Sequence, residues 1–204
     1  MLDPPLLAPA ITGVMPLAVP FSDLVFRSIH LRHFASANFV GVQPLFAAGG
    51  GIAGSRYVLP GGPAALYAAM DAETAYREGN KVYFQAAAAG PVLHQAGGIR
   101  PDPAVLIGIH IRALRLLDLR DHAVWGQLGI LGVAELIGPW IGVPNAPTQV
   151  LGDTVFHNGH FEGMIFPSAQ NPGHDAVILF PARLDPASRV TFIDRATGLV
   201  GQSP

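Results

Sequence analysis

The sequence predicts an α+β domain of short, mixed or antiparallel strands with few, short helices. Three observations carry this. Short apolar or alternating runs recur along the chain, each bounded by Gly, Pro or Asp. Helical spacing of apolar residues is brief and scattered, which favours α+β over a doubly wound α/β sheet. Neither a dinucleotide-binding fingerprint nor a phosphate loop is present: Gly49 to Gly54 contains consecutive glycines but lacks the lysine and helix that should follow.

Taken in order, Met1 to Pro20 carries five prolines and Asp3, with no basic residue before Arg27. That is no signal peptide. It reads as a proline-rich lead-in (1–22) lying on the surface of a single domain (23–204). Leu24 to Leu31 interleaves Val25, Ile29 and Leu31 with Arg27 and Ser28, a strand. The glycine loop 49–54 leads into Ser55-Arg56-Tyr57, and Pro60-Gly61-Gly62-Pro63 is a turn. Ala64 to Met70 reads as a short buried strand. Asp71 caps a helix over 72–78, with Gly79 as its stop. Lys81 to Gln85, Ala104 to His110 and Leu114 to Leu119 read as strands. Asp121 to Ile141 reads as helical pieces broken by glycines and Pro139. Pro147 to His157 has helical spacing; 163–166, 176–181 and 189–194 are the closing strands.

Composition narrows the function classes. At 204 residues the chain is one domain by length, at roughly 150 residues each. Half of it is apolar, and the charged fraction is 13%, about half the usual ~25%. The net charge of −2 argues against nucleic-acid binding through counterion release. The absence of cysteine excludes a disulfide scaffold, a thiol nucleophile and cysteine-ligated metal. The longest apolar stretch, Trp125 to Val143, is broken by Gln127, Glu135 and Pro139, so it packs inside the protein rather than spanning a membrane. Eleven of the twelve basic residues are arginine and Lys81 stands alone, which reads as genome bias. The expected location is the cytoplasm.

The densest chemistry is Arg56, Tyr67 and Glu78, spaced eleven and eleven along a strand–turn–strand–helix unit. Thr74 and Glu78 share a helix face. Phe166-Pro167-Ser168-Ala169-Gln170 ends a strand in a turn with a hydroxyl at its tip. Without further context each residue has a plainer role. Arg56 could pair with Asp71 or Glu73, Glu78 could be solvated, Tyr67 could be core and Ser168 a turn residue. A rival site would use His157 and His160 with Asp153 and Glu162, or His30 with His33. The first pair straddles Asn158-Gly159 and neither has a convincing third histidine, so no metal is assigned.

Taken together, the segments resemble RES-domain proteins, named for an arginine, a glutamate and a serine. The matching pieces are Phe26-Arg27, Gly54-Ser55-Arg56-Tyr57, Pro60-Gly61-Gly62, Ala65-Leu66-Tyr67-Ala68-Ala69, Glu73-Thr74-Ala75 with Glu78, and Glu162 to Ala169 followed by 176–180. They run in the family's order over roughly 24–181. Tyr57-Val58 and Gln170 depart from the family's usual Trp-Asn and Arg. The resemblance implies a fold similar to the ADP-ribosyltransferase toxins, with NAD as substrate and no prosthetic group. It also implies a toxin held by an Xre-like helix-turn-helix antitoxin. Self-association is left open. Carried over by position, Arg56, Tyr67, Glu78 and Ser168 are the catalytic residues, and Arg27, Arg56, Tyr67 and Ser168 contact NAD.

The implied chemistry suits these side chains. Nicotinamide leaves NAD as a neutral molecule, so the need is to stabilise positive charge developing at the ribosyl C1′, a task for the Glu78 carboxylate. The Arg56 guanidinium can grip two diphosphate oxygens, with Arg27 as a second contact. Tyr67 offers a flat face to the nicotinamide ring, and Ser168 can bond its amide or the ribose. Three functions are therefore expected in order: NAD glycohydrolase or phosphorylase, ADP-ribosyltransferase acting on a protein, and a catalytically inactive binding module.

Overall fold

Period-two alternation of side chains builds the sheet. The computed structural model describes residues 1–31, 45, 54–88, 100–193 and 200–203. Within them lie β1 (Val19–His30), β2 (Leu66–Ala69), β3 (Ala104–Asp118), β4 (Gly163–Pro167), β5 (Asp175–Leu179), β6 (Arg189–Ile193) and β7 (Val200–Ser203). Their order is β1-β2-β5-β4-β3-β6-β7, and β1 also pairs with β3, so β1, β2, β5, β4 and β3 form a closed ring of pairings. The β3–β4 pair is parallel; the other pairs are antiparallel. The result is the mixed α+β sheet that the sequence predicts.

Alternation splits the core in two. Leu66, Ala68, Ile165, Val177 and Leu179 join Val25, Ile107 and Ile109 in one buried cluster. Their neighbours Ala65, Ala69, Met164, Phe166, Ile178 and Phe180 face the other way, into a second cluster shared with helices. Those helices are α1 (Pro4–Gly13), α4 (His122–Leu128), α5 (Val133–Ile137) and α6 (Pro147–Asn158), joined by Ala75 of α2 (Ala72–Gly79); α2 and α3 (Lys81–Ala88) lie between β2 and β3 in the chain. Among the described residues no helix is long and apolar enough to cross a membrane.

Two local expectations are corrected, and the lead-in gains structure. It lies at the surface as a helix with one face buried: α1 starts with proline in its first turn, where no N–H partner is needed, and buries Leu7 and Ile11 against α6 and α4, while residues 19–22 begin β1. The strands expected at 104–110 and 114–119 are one strand. Ile111, Arg112 and Ala113 between them hold no turn former, and β1 pairs along nearly the whole length. Lys81 to Gln85 is helical. Its Val-Tyr-Phe run favours a strand locally, but Phe84 packs edge-on to Tyr76 at 5.9 Å and beneath Arg77 at 5.1 Å, and the alanines that follow favour helix. The glycines of the 49–54 loop other than Gly54, and His33, lie outside the described residues.

Helix α6 fixes the turn that carries Arg56. Gln149, buried, accepts from the Ala146 N–H at 3.3 Å and donates to the carbonyls of Ser55 at 3.0 Å and Val58 at 3.3 Å. One turn on, Gly152 lies so close that a Cβ would sit 2.0 Å from the Tyr57 carbonyl oxygen. Only glycine fits there without moving backbone. Gly152→Ala should cost about 3 kcal/mol, lowering Tm by roughly 6–12 °C. A melting curve within a degree or two of the wild type would disprove this close approach.

Candidate active site

Glu78 reaches its position through local capping and one long-range hydrogen-bond chain. Asp71 accepts from the Thr74 N–H at 2.8 Å and hydroxyl at 2.7 Å, which starts α2 as predicted. One turn later, on Thr74's face, Glu78 meets the turn that leaves β4. There the Ser168 hydroxyl accepts from the backbone N–H groups of Gln170 at 3.2 Å and Asn171 at 3.1 Å. Its own proton is donated to Glu78 Oε1 at 2.6 Å. Ala169 and Gln170 N–H groups point at the same oxygen, at 3.2 and 3.4 Å. Asn171 closes the circuit by donating its side-chain amide to the Thr74 hydroxyl at 2.7 Å. Thr74, Ser168 and Asn171 are buried, so α2 and the 168–171 turn are tied by polar groups that satisfy one another.

In front of Glu78 opens a cavity of about 240 Å³ lined by Arg27, Arg56, Tyr67, Glu78, Lys81 and Trp140, among others. Tyr67 is held by its hydroxyl, which accepts from the Tyr57 N–H at 3.1 Å and shares a 2.7 Å bond with Ser55 Oγ. Burial pushes this phenol well above its ordinary range, against the bond from Ser55 and the Arg56 charge. It stays protonated, and its ring remains against the cavity, edge-on to Phe166 at 6.3 Å. Arg56 Nη1 donates to the carbonyls of Leu136 at 3.2 Å and Gly138 at 2.7 Å. These bonds hold the segment after α5, and with it Trp140, as the far wall. Lys81 places its ammonium over the Trp140 ring, 4.4 Å from the centroid. Burial lowers the Arg27 pKa to about 10, still cationic at neutral pH.

Residues 24–198 match the family model of the RES domain. This chain belongs to the RES-domain family. Its fold is also that of a chain in the crystal structure of the M. tuberculosis MbcT–MbcA toxin–antitoxin complex. The match has a TM-score of 0.63 at 18% identity and covers 94% of each chain. No curated protein matches.

In this RES domain the arginine and glutamate come together with Tyr67 and Arg27 around one cavity, while the serine stands behind. Ser168 does not line the cavity; it is buried and engaged with Glu78. The plainer partners proposed for Arg56 are taken elsewhere: Glu73 by Arg77 at 2.7 Å, Asp71 by His174 at 2.9 Å. Glu162 of the histidine-rich segment is fully buried and accepts from the N–H groups of Leu114 and Arg115, both at 3.0 Å, a role in holding β3. Sequence reasoning missed Asn171, Lys81 and Trp140. Lys81 had a visible signal, being the chain's lone lysine.

Proposed function

We propose that this RES domain cleaves the bond between nicotinamide and ribose in NAD, passing the ADP-ribosyl group to water or phosphate. The observation that carries the reading is a carboxylate anchored by three hydrogen bonds in a cavity that an aromatic ring and two arginines also line. All three bonds to Glu78 go to Oε1, which leaves Oε2 for the ribose. As the C–N bond breaks, positive charge grows at C1′, and a fixed carboxylate stabilises it without reorganising. Nicotinamide departs neutral and takes no proton from the protein. Arg56 retains Nε and Nη2 for the diphosphate, Arg27 adds a second cation, and Tyr67 stacks on the departing ring. Ser168 serves as a positioning residue in this scheme, aiming Glu78 rather than touching NAD.

Family membership and a fold shared with a chain of a toxin–antitoxin complex support a toxin acting on cytoplasmic NAD. On this reading the toxin is held by an antitoxin of the helix-turn-helix kind, a segment of which fills the Arg56 cleft. The test is purified protein with NAD carrying label on its adenylate half. Free nicotinamide with unlabelled protein is expected. Labelled protein would favour ADP-ribosyl transfer to a target, and no turnover would sink the reading in favour of a binding module. A small helix-turn-helix protein encoded beside this chain should suppress nicotinamide release when mixed with it; undiminished release would remove it as the antitoxin.

A further inference from the structure

Three cationic side chains line the cavity. Arg27, Arg56 and Lys81 face it as cations, and among the described lining residues Glu78 is the one anion. The three cations are not equivalent. Arg56 spends Nη1 on two backbone carbonyls, whereas Lys81 rests on the indole face of Trp140. That is a weaker partner for an ammonium than a phosphoryl oxygen is. Lys81 begins α3, three residues beyond Glu78, and interacts electrostatically with both Glu78 and Arg56. Burial works against its charge, Glu78 opposes that effect, and Arg56 adds to it. An incoming anion would relieve this arrangement.

We propose that Lys81 is the specificity residue of the cavity: its ammonium leaves the Trp140 face for a phosphoryl oxygen, so the site selects a nicotinamide dinucleotide over nicotinamide riboside, which lacks the diphosphate. This rests on the NAD reading above. The exchange changes the environment of Trp140, one of two tryptophans in the chain, and so has a readout apart from activity.

The experiment compares wild type with Lys81→Met and Lys81→Arg, and with Lys81→Gln should the methionine variant fail to fold. Inorganic pyrophosphate is titrated against tryptophan fluorescence, with Trp140→Phe as the control that removes the signal. Nicotinamide release is then measured from NAD and from nicotinamide riboside. Loss of one charge-assisted contact should weaken pyrophosphate binding about tenfold in Lys81→Met. The preference for NAD over the riboside should fall about tenfold, through KM for NAD. Lys81→Arg should restore most of both. A folded Lys81→Met protein that binds pyrophosphate as tightly as wild type and keeps its preference would overturn the proposal. Should wild type cleave neither substrate, the NAD reading falls, and the pyrophosphate titration still decides whether Lys81 is an anion ligand.

Discussion

Glu78→Gln should reduce nicotinamide release by about 10²–10³ while leaving NAD affinity and melting temperature close to wild type. The reason lies in how Glu78 is held. Its three donors, the Ser168 hydroxyl and the N–H groups of Ala169 and Gln170, all converge on Oε1. A glutamine can offer its amide oxygen to the same three donors and keep the side chain in place. What changes is the other end, where a neutral amide replaces the carboxylate oxygen facing the ribose. On the proposed reading the ground-state contacts of NAD are with rings and phosphates, so binding should hardly respond. The loss then falls on the transition state, where the positive charge develops. Ser168→Ala is the companion experiment. It leaves two N–H donors on Oε1 but strips the Asn171 N–H of its acceptor and the Gln170 N–H of one of its two, so turnover should fall roughly tenfold through lost orientation. Nicotinamide release, a binding titration and a melting curve on both variants check this. A folded Glu78→Gln protein cleaving NAD at the wild-type rate would remove Glu78 from the chemistry.

Arg56→Lys should lose about 10² in kcat/KM, with a large part of the loss in NAD binding. The wild-type guanidinium acts in two directions. Nη1 serves the carbonyls of Leu136 and Gly138, while Nε and Nη2 remain for paired phosphate oxygens. An ammonium has three donors on one point and cannot span both tasks with the same geometry. If it keeps the carbonyls, the diphosphate loses its two-pronged partner; if it turns to the diphosphate, the wall bearing Trp140 is released. Amide exchange at 136–140 should therefore quicken in Arg56→Lys relative to wild type. Unchanged exchange together with unchanged NAD affinity would show that Arg56 does neither job.

Much of this site is legible along the chain because its parts are locally encoded. Asp71, Thr74 and Glu78 are a cap, the first turn it stabilises and the next residue on the same face; no distant residue is needed to foresee that helix. The strands around Tyr67 and before Ser168 follow from alternation bounded by turn residues, and the ordered match of Arg56, Tyr67, Glu78 and Ser168 points to the RES domain. Lys81 was as visible as any of these, but a lone lysine among arginines carries no local sign of what it will face.

Local pattern thus determined the α+β class and the start of α2, and the ordered resemblance named Arg27, Arg56, Tyr67 and Glu78 among the residues around the cavity. Tertiary contacts decided the rest. Pairing with β1 made 104–118 one strand, packing of Phe84 on Tyr76 made 81–88 a helix, and Leu7 and Ile11 seated one face of the proline-rich N-terminus against α6 and α4. They also set the Ser168 hydroxyl on Glu78, ninety residues away, and gave Arg56 the carbonyls of Leu136 and Gly138 to hold. Propensity and capping act within a turn or two of the chain, whereas hydrogen bonds and burial between distant segments exist only once the ring of strands has closed and brought them together.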